Sequence, residues 1–323
     1  MLLPALLAFV VSALGTGWAR RHGRRKGLLD QPGARRSHQR PTPRGGGIGI
    51  AMAGLAVIVV LARTETASWY WVGAGLLSVS LTGWRDDHRS LPILPRLVAH
   101  LLAGILLAVA LLQQGHGWTL AVLAILLVPA LVNAWNFIDG IDGLAASQAG
   151  LCALASGCVL AGPAQALAWV VAAACAGFLP FNVPVARIFL GDVGSGALGY
   201  LMAVLLLSGF AARPWMHWPL LLLPMSAVLL DAGLTLVWRI RRGDRWWQPH
   251  VQHLYQRAAR RAGHARITAA YAGWTGLAIG IMLALLSLGE AGGFAGGAAF
   301  ILLTVALWFR LHRTADGGEG FGS

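Results

Sequence analysis

Long apolar runs, separated by short polar loops, recur along the whole 323-residue chain. A membrane-spanning helix needs roughly 20 apolar residues, and the runs are continuous instead of alternating, which disfavours a β-barrel. Charged residues make up only 11% of the chain, whereas a soluble domain is roughly one quarter charged. The sequence therefore predicts an all-α integral membrane bundle of about 11 (10–11) transmembrane helices. The eleven candidate spans are about 1–19, 46–62, 69–84, 97–113, 118–135, 143–162, 164–181, 194–210, 216–238, 267–289 and 293–309.

The distribution of basic residues predicts the orientation of the bundle. With an outer N-terminus, the inner loops and the tail hold 23 of the 25 Lys and Arg residues, and the outer loops hold only Arg63 and Arg213. Because basic loops stay on the cytoplasmic side, we expect the N-terminus outside and the C-terminus in the cytoplasm. We interpret residues 1–310 as one polytopic domain and residues 311–323 as a short cytoplasmic tail, predicted to be disordered.

Charge and cysteine content exclude several classes of protein. The net charge of +13 would suggest nucleic acid in a soluble chain, but here the basic residues lie between apolar runs, so we expect no nucleic-acid partner. Lys26 is the only lysine and has no Walker A sequence around it, which excludes a P-loop ATPase. The three cysteines lie in apolar stretches and do not indicate a disulfide framework.

Two groups of polar residues follow apolar runs on the predicted cytoplasmic side. Asp86 and Asp87 are adjacent acids at a helix end; the alternative is that they are solvated loop charges paired with Arg85 and Arg89. The second group recurs every three residues beside two Asp-Gly turns, and its oxygen atoms suit a hard cation such as Mg²⁺. A capped turn between helices is the alternative there. The members of this second group are Asn133, Asn136, Asp139 and Asp142.

A third group precedes the next apolar run, where Asp192 and Ser195 are interleaved with glycines. This places an acid, small residues and a hydroxyl group at a helix N-terminus, which is suited to an anion or a metal-bound phosphate. Ordinary capping by Asp192 or Ser195 is the alternative. Asp231 is the only acid within a predicted span; it is either functional or paired with an arginine as a structural contact.

Two basic loops lie on the same predicted side. In the first, Arg44 precedes Gly45, Gly46 and Gly47, whose backbone N–H groups could approach a phosphate closely, or the arginines of this loop only fix topology. In the second, Pro249 is suited to the first residue of a helix. Such a helix would carry a basic face able to bind a lipid-linked phosphate, or would bind anionic lipids without specificity. That face comprises His250, His253, Arg257 and Arg260.

Five acids from three loops would repel a phosphate unless cations intervene, and Mg²⁺ with a diphosphate balances the charge. These acids are Asp86, Asp87, Asp139, Asp142 and Asp192. At four motifs the sequence closely resembles the polyprenyl-phosphate N-acetylhexosamine-1-phosphate transferase family, which includes the phospho-MurNAc-pentapeptide translocase. The resemblance covers the chain from about Asp30 to Arg261. The motifs are Pro41-Thr42-Pro43-Arg44-Gly45-Gly46-Gly47, Asp86-Asp87, Asn136-Phe137-Ile138-Asp139-Gly140-Ile141-Asp142-Gly143-Leu144 and Phe189-Leu190-Gly191-Asp192-Val193-Gly194-Ser195.

The resemblance implies a reaction: transfer of an N-acetylhexosamine 1-phosphate from a UDP-sugar to undecaprenyl phosphate, with release of UMP. It implies an enzyme of the bacterial inner membrane, with a cytoplasmic active site, that initiates O-antigen or another surface polysaccharide. The histidine loop here reads His-x-x-His-x-Tyr-Gln-Arg and looks like that of the polysaccharide-initiating subgroup. Membrane lipids are further expected partners, and a homodimer is possible.

The resemblance also implies roles for individual residues. Asp192 and Asn136 are the expected Mg²⁺ ligands, with Mn²⁺ as a substitute metal, and Asp86 and Asp87 are expected beside the lipid phosphate as catalytic residues. The remaining site residues are expected to bind the substrates. They are Asp139, Asp142, Arg44, Gly46, Ser195, His250, His253 and Arg257. A transporter or flippase of lipid-linked sugars is the alternative function, although no internal repeat is visible.

Overall fold

The computed structural model describes residues 2–31, 40–245 and 251–316. In these ranges the chain forms thirteen α-helices, and each predicted span coincides with a helix or a helical run. The prediction of an all-α bundle is therefore confirmed. The helices are α1 (Leu2–Lys26), α2 (Ile48–Thr64), α3 (Trp69–His88), α4 (Ile93–Gln113), α5 (Trp118–Ile138), α6 (Leu144–Val159), α7 (Gly162–Phe178), α8 (Gly191–Ala212), α9 (Trp218–Leu222), α10 (Ser226–Arg241), α11 (Leu254–Ala262), α12 (His264–Leu285) and α13 (Glu290–Asp316).

Eight helical segments within the described ranges are long and apolar enough to cross a membrane. Helices α2 and α6 are apolar but have only 17 and 16 residues, and α3 is not among the eight. The total of ten or eleven spans and the orientation of the termini therefore stay predictions.

Helix α8 lies at the centre of the bundle, and all its residues from Val193 to Leu207 are buried. Helices α3 and α5 pack on it, and α4 packs on both of those. The approach is close enough to exclude side chains: a Cβ on Gly83 of α3 would lie 2.3 Å from the carbonyl oxygen of Asp192, and one on Gly47 would lie 2.2 Å from Cα of Gly194. The N-terminus of α8 is therefore in contact with the start of α2 and the end of α3.

Three details of the helices differ from the sequence predictions. The span predicted at 216–238 is a helical run broken by a 3₁₀ turn at Leu223–Met225, where Pro224 cannot donate an α-helical hydrogen bond. Helix α13 continues through Asp316 into the predicted tail, where His312 packs on Trp238 and Trp308. The rest of that tail lies outside the described residues.

The third difference concerns the helix predicted to begin at Pro249. Helix α11 begins only at Leu254, and residues 251–253 are not helical. The backbone N–H groups of Leu254 and Tyr255 donate to the carboxylate of Asp231 at 2.8 and 3.1 Å, which fixes the first turn at that position. His253 is thus the residue before the helix. The prediction that His253 and Arg257 share a helical face is wrong.

Candidate active site

The N-terminus of α8 is held by an acid from another helix. Asp87, at the end of α3, is buried and accepts hydrogen bonds from the backbone N–H groups of Asp192 and Val193 at 2.9 and 3.1 Å. Gly191, at φ +77°, allows this approach, since a Cβ there would lie 2.6 Å from Asp87 Oδ2. The capping carboxylate is thus Asp87, and the alternative in which Asp192 or Ser195 caps the helix is wrong.

Asp86 is buried beside Asp87 and points to the start of α4. Its Oδ2 atom lies 3.0 Å from Nη1 of Arg96, and its Oδ1 atom accepts a hydrogen bond from the Leu91 backbone at 2.6 Å. Nη2 of Arg96 also lies 3.7 Å from Asp192 Oδ1. The two adjacent acids are therefore built into the protein interior, and the alternative of solvated charges paired with Arg85 and Arg89 is wrong.

Asn136, in the last turn of α5, faces the first turn of α8. Its side-chain amide donates to Asp192 Oδ1 and lies 3.3 Å from Ser195 Oγ, and Ser195 is buried. The structure thus brings together residues that the sequence placed in three separate groups. They are Asp86, Asp87, Asn136, Asp192 and Ser195.

We call the residues brought together at the start of α8 the acidic group. Asp139, in the loop after α5, also belongs to it, because the charges of Asp192 and Asp87 act on its carboxyl group. Loss of hydration raises the pKa of Asp139 well above its ordinary value, and the charges of Asp192 and Asp87 raise it further. A hydrogen bond from the Gly191 backbone acts in the opposite direction. This electrostatic field, in which neighbouring carboxylates repel each other, suits a site that binds a cation.

Asp142 lies in the same loop but is engaged elsewhere. Its Oδ2 atom accepts a hydrogen bond from the Ala186 backbone at 3.2 Å and lies 3.3 Å from His264 Nδ1. Asn182, which the sequence analysis did not select, accepts from Gly143 N at 2.7 Å and donates to the Ile188 carbonyl at 2.9 Å. These contacts join the loop after α5 to the segment before α8 and fix their relative position.

The glycines of the first basic loop serve packing. The N–H groups of Gly46 and Gly47 donate to the carbonyls of Phe189 and Leu190 at 2.9 and 2.8 Å, so the prediction that these two amides approach a phosphate is wrong. A two-residue antiparallel ladder pairs Leu29–Asp30 with Thr42–Pro43. It places Arg44 Nη2 2.5 Å from Asp30 Oδ1. Burial and the charge of Asp192 raise the pKa of Asp87 to about 7, and the charge of Arg44 acts in the opposite direction.

The histidine loop contacts the site through buried rings. His253 is buried, with its ring 5.6 Å from that of Phe137 and 5.8 Å from that of Tyr255. The Tyr255 hydroxyl donates to the Phe137 carbonyl at 2.7 Å, directly beside Asn136 in the chain. Burial lowers the pKa of His253, although Asp231 counteracts this. His250, also predicted to bind substrate, lies outside the described residues.

Asp231 is a structural centre for the last four helices. Besides the two backbone amides of α11, it accepts hydrogen bonds from Tyr271 of α12 at 2.8 Å and from Trp308 of α13 at 3.3 Å. These partners are neutral, so the alternative that Asp231 pairs with an arginine is wrong. Arg257 lies 3.4 Å from His312 Nε2 and joins α11 to α13.

The oxygen donors present fit a hard cation. Asp192 and Asn136 are adjacent, and turning the Asn136 amide would direct its oxygen to the position that its nitrogen takes in the structure. Within the described residues no three His, Cys, Asp or Glu side chains form a ready metal cluster. Mg²⁺ commonly uses one or two protein carboxylates and completes its shell with substrate phosphates and water. Asp192 and Asn136 are suited to such a partial site.

Comparison with known proteins shows which family the site-bearing segment resembles. The family model described as "Glycosyl transferase family 4" matches residues 69–210. The decaprenyl-phosphate N-acetylglucosaminephosphotransferase of Mycolicibacterium smegmatis is 29% identical, over 98% of this chain and 90% of its own length. Residues 69–210 of this chain are therefore similar to glycosyl transferase family 4. The matched segment extends from α3 to α8, so it includes every member of the acidic group around α8.

Two further relatives have related names. The undecaprenyl-phosphate α-N-acetylglucosaminyl 1-phosphate transferase of Escherichia coli is 27% identical, over 77% of this chain and 75% of its own length. The phospho-N-acetylmuramoyl-pentapeptide-transferase of a Synechococcus strain is 30% identical, over 53% of this chain and 55% of its own length. With eight candidate spans in its described helices, the chain is a multi-pass membrane protein.

Sequence reasoning missed Arg96, which contacts both Asp86 and Asp192. A signal was present, because Arg96 and His100 open an apolar span and are four residues apart, on one helical face. It was overlooked because a single arginine at a helix end is also expected from topology alone.

Proposed function

We propose that this protein transfers an N-acetylhexosamine 1-phosphate from a UDP-sugar to undecaprenyl phosphate, releasing UMP. The observation that carries the proposal is the acidic group at the N-terminus of α8, with Arg96 between two of its carboxylates. The names of the relatives support the acceptor and the type of transfer. We place the reaction at the cytoplasmic face of the bacterial inner membrane, as the first step of a surface polysaccharide such as O-antigen.

The chemistry needs positioning more than proton removal. A phosphate monoester with a second pKa near 6 is largely dianionic at pH 7, so the acceptor is already a nucleophile. General-base assistance would add at most roughly 10²–10⁴-fold. In the proposed reaction an acceptor oxygen attacks the sugar-linked phosphorus in line, the bond to the UMP oxygen breaks, and UMP leaves with that electron pair.

The protein's own residues would divide this work. Arg96 would neutralise charge on the acceptor phosphate and Asp86 would hold the arginine in place, as their 3.0 Å contact suggests. Asp87 would act as a positioning residue, because both of its oxygens already hold the backbone of α8. Asp192 and Asn136 would hold Mg²⁺, and a bound Mg²⁺ supplies compensating positive charge at the donor diphosphate.

The remaining residues would form the donor side of the site. The charge of Asp192 acts on Asp139 and raises its pKa. The Tyr255 hydroxyl connects the histidine loop to the backbone carbonyl of Phe137 by a hydrogen bond. A transporter would instead be expected to have polar groups near the bilayer midplane. The acidic group lies at the ends of α3, α5 and α8, and Asp231, within its span, holds neighbouring helices together, which favours an enzyme at the membrane surface.

The test is a panel of UDP-sugars with the purified protein, undecaprenyl phosphate and Mg²⁺ in detergent. The proposal expects release of UMP together with a lipid-diphosphate sugar, for one N-acetylhexosamine more than for the others. The panel includes the N-acetyl derivatives of glucosamine, galactosamine, fucosamine and quinovosamine. No UMP from any donor, combined with movement of a lipid-linked sugar across proteoliposomes, would favour the flippase alternative.

A further inference from the structure

A cleft between α3, α4, α5 and α8 opens beside the acidic group. The cleft is lined by Thr82, whose hydroxyl donates to its own helix at the Ser78 carbonyl, by small and apolar residues, and by six further polar residues. These six are Asp86, Arg96, His100, Asn136, Asp192 and Ser195. Five of the six polar residues contact one another through the hydrogen bonds and ion pairs described above. His100 is the exception.

His100 lies in the second turn of α4 and its side chain is buried, with 7% of its surface exposed. Its Nδ1 atom is fully buried and has no hydrogen-bond partner among the described residues. A neutral imidazole has one N–H donor and one acceptor nitrogen, and a buried polar group without a partner destabilises a fold. A leucine would fill the same space without that cost, so the ring is suited to a ligand that enters the cleft.

The surroundings indicate the charge of that ligand. Arg96 and His100 are four residues apart on α4 and present a cation and an N–H donor to the same cleft. Both groups complement an anion with several acceptor oxygens, which is the chemistry of a phosphate. Asp86 and Asp192 already engage Arg96, whereas His100 has no such contact with either acid, so a phosphate would bind on the His100 side of the arginine.

The depth of His100 indicates which phosphate this is. It lies one helical turn beyond Arg96 along α4, away from the end that carries the acids. The surface of α4 at this depth is apolar and exposed at Leu97, Val98 and Leu101. A phosphate with a long apolar chain can place that chain on this surface, whereas a UDP-sugar has no such chain.

We propose that His100 donates a hydrogen bond to the phosphate of the polyprenyl phosphate acceptor and is a binding residue for that substrate. This rests on the proposed function for the identity of the acceptor. The same contact would help to orient the nucleophilic oxygen, since the phosphate is then held from one side by His100 and from the other by Arg96.

Steady-state kinetics of His100→Leu test the assignment. We expect the KM for polyprenyl phosphate to rise about 10- to 100-fold, the range for loss of a hydrogen bond to a charged group, with the KM for the UDP-sugar unchanged. His100→Gln, which keeps an N–H donor, should recover much of the acceptor affinity. His217→Leu is the matched control, because both ring nitrogens of His217 are also buried without a partner but lie at the other end of α8.

A binding measurement without turnover separates this proposal from the proposed function. In detergent, the wild type should bind a short-chain prenyl monophosphate more tightly than the matching prenyl alcohol, and His100→Leu should lose that preference while His217→Leu keeps it. That result without UMP release from any donor would support His100 and contradict the proposed function. Normal turnover and an unchanged acceptor KM in His100→Leu would overturn the role of His100 alone. If the leucine variant does not fold, His100→Phe decides by the same criteria.

Discussion

At the scale of single residues, the site is built from acids that hold other parts of the protein in place. Asp87 holds the N-terminus of α8, Asp86 holds Arg96, and Asp142 holds the segment before α8. The acids with fewer structural partners, Asp192 and Asp139, are the ones that remain for ligands. Function and stability are therefore expected to conflict most strongly at Asp139, which lies among repelling carboxylates.

The variant Asp139→Asn tests this conflict. Because the folded-state pKa of Asp139 is raised, folding favours its protonated form, so its contribution to stability is lost as pH rises from the ordinary value near 3.9 through the raised value. With a metal chelator present, Asp139→Asn should melt higher than the wild type by about 2–4 °C near neutral pH, with the difference shrinking toward acidic pH. Activity with Mg²⁺ should fall.

Thermal melting between pH 5 and pH 8 measures the effect, and Glu65→Gln is a suitable control because Glu65 is an exposed acid outside the acidic group. A difference in melting temperature that stays constant over this range would mean that the pKa of Asp139 is not raised in the folded protein.

The residue types at the site were predictable, but their partners were not. Four site residues could be found because each lies beside an end of an apolar run, on one predicted side of the membrane. They are Asp86, Asp87, Asn136 and Asp192. Which acid caps α8 depends on how closely α3 crosses it, and that distance is set by Gly83 and Gly191 in the folded protein. Sequence spacing does not contain this information.

At the scale of elements, the site depends on close contacts between helices. Gly83→Ala would place a methyl group against the backbone of Asp192, so we expect α3 and α8 to separate, with a lower melting temperature and loss of activity. Overpacking of this kind costs about 1–3 kcal/mol. Gly276→Ala, in α12, meets no atom within 4 Å and should be neutral or slightly stabilising. Equal behaviour of the two variants would contradict the close crossing.

Asp231 provides a second test among the elements. Asp231→Asn keeps the shape but removes the charge that attracts amides and hydroxyls from α11, α12 and α13. A hydrogen bond to a charged group contributes about 1.5–3 kcal/mol, so weakening several of them should lower the melting temperature by roughly 5 °C or more. Melting curves of this variant and of Glu290→Gln, an exposed acid, check it. A melting temperature equal to that of the wild type would show that α11 is held by other contacts.

Most helix bounds were predictable to within a few residues because apolar runs end at polar loops, but α1 and α13 each continue seven residues beyond the predicted span. The start of α11 was not, because Asp231, far away in the sequence, selects Leu254 as its first residue. Proline signals were informative at Pro224, where the helix is broken, and misleading at Pro249, which precedes α11 by several residues.

At the scale of the whole molecule, the basic loops predict which end of the bundle faces the cytoplasm. In a background without Cys152, Cys158 and Cys175, single cysteines at Gly117 and Gly289 should react with an impermeant thiol reagent in intact cells. One at Arg241 should react only after the membrane is permeabilised. All three sites are exposed, so accessibility to the reagent depends on the side of the membrane. Labelling of Arg241→Cys in intact cells, with protection of the other two, would reverse the orientation.

We propose that the acidic group around α8 supports transfer of a sugar together with its phosphate to a lipid phosphate. The most direct measurement places a radioactive label on either phosphate of the UDP-sugar and follows it into lipid and nucleotide. The β-phosphate label should move to the lipid with the sugar, the α-phosphate label should stay in UMP, and Asp192→Asn should lose both outcomes while it still folds. Sugar transfer with both labels left in UDP would contradict the account.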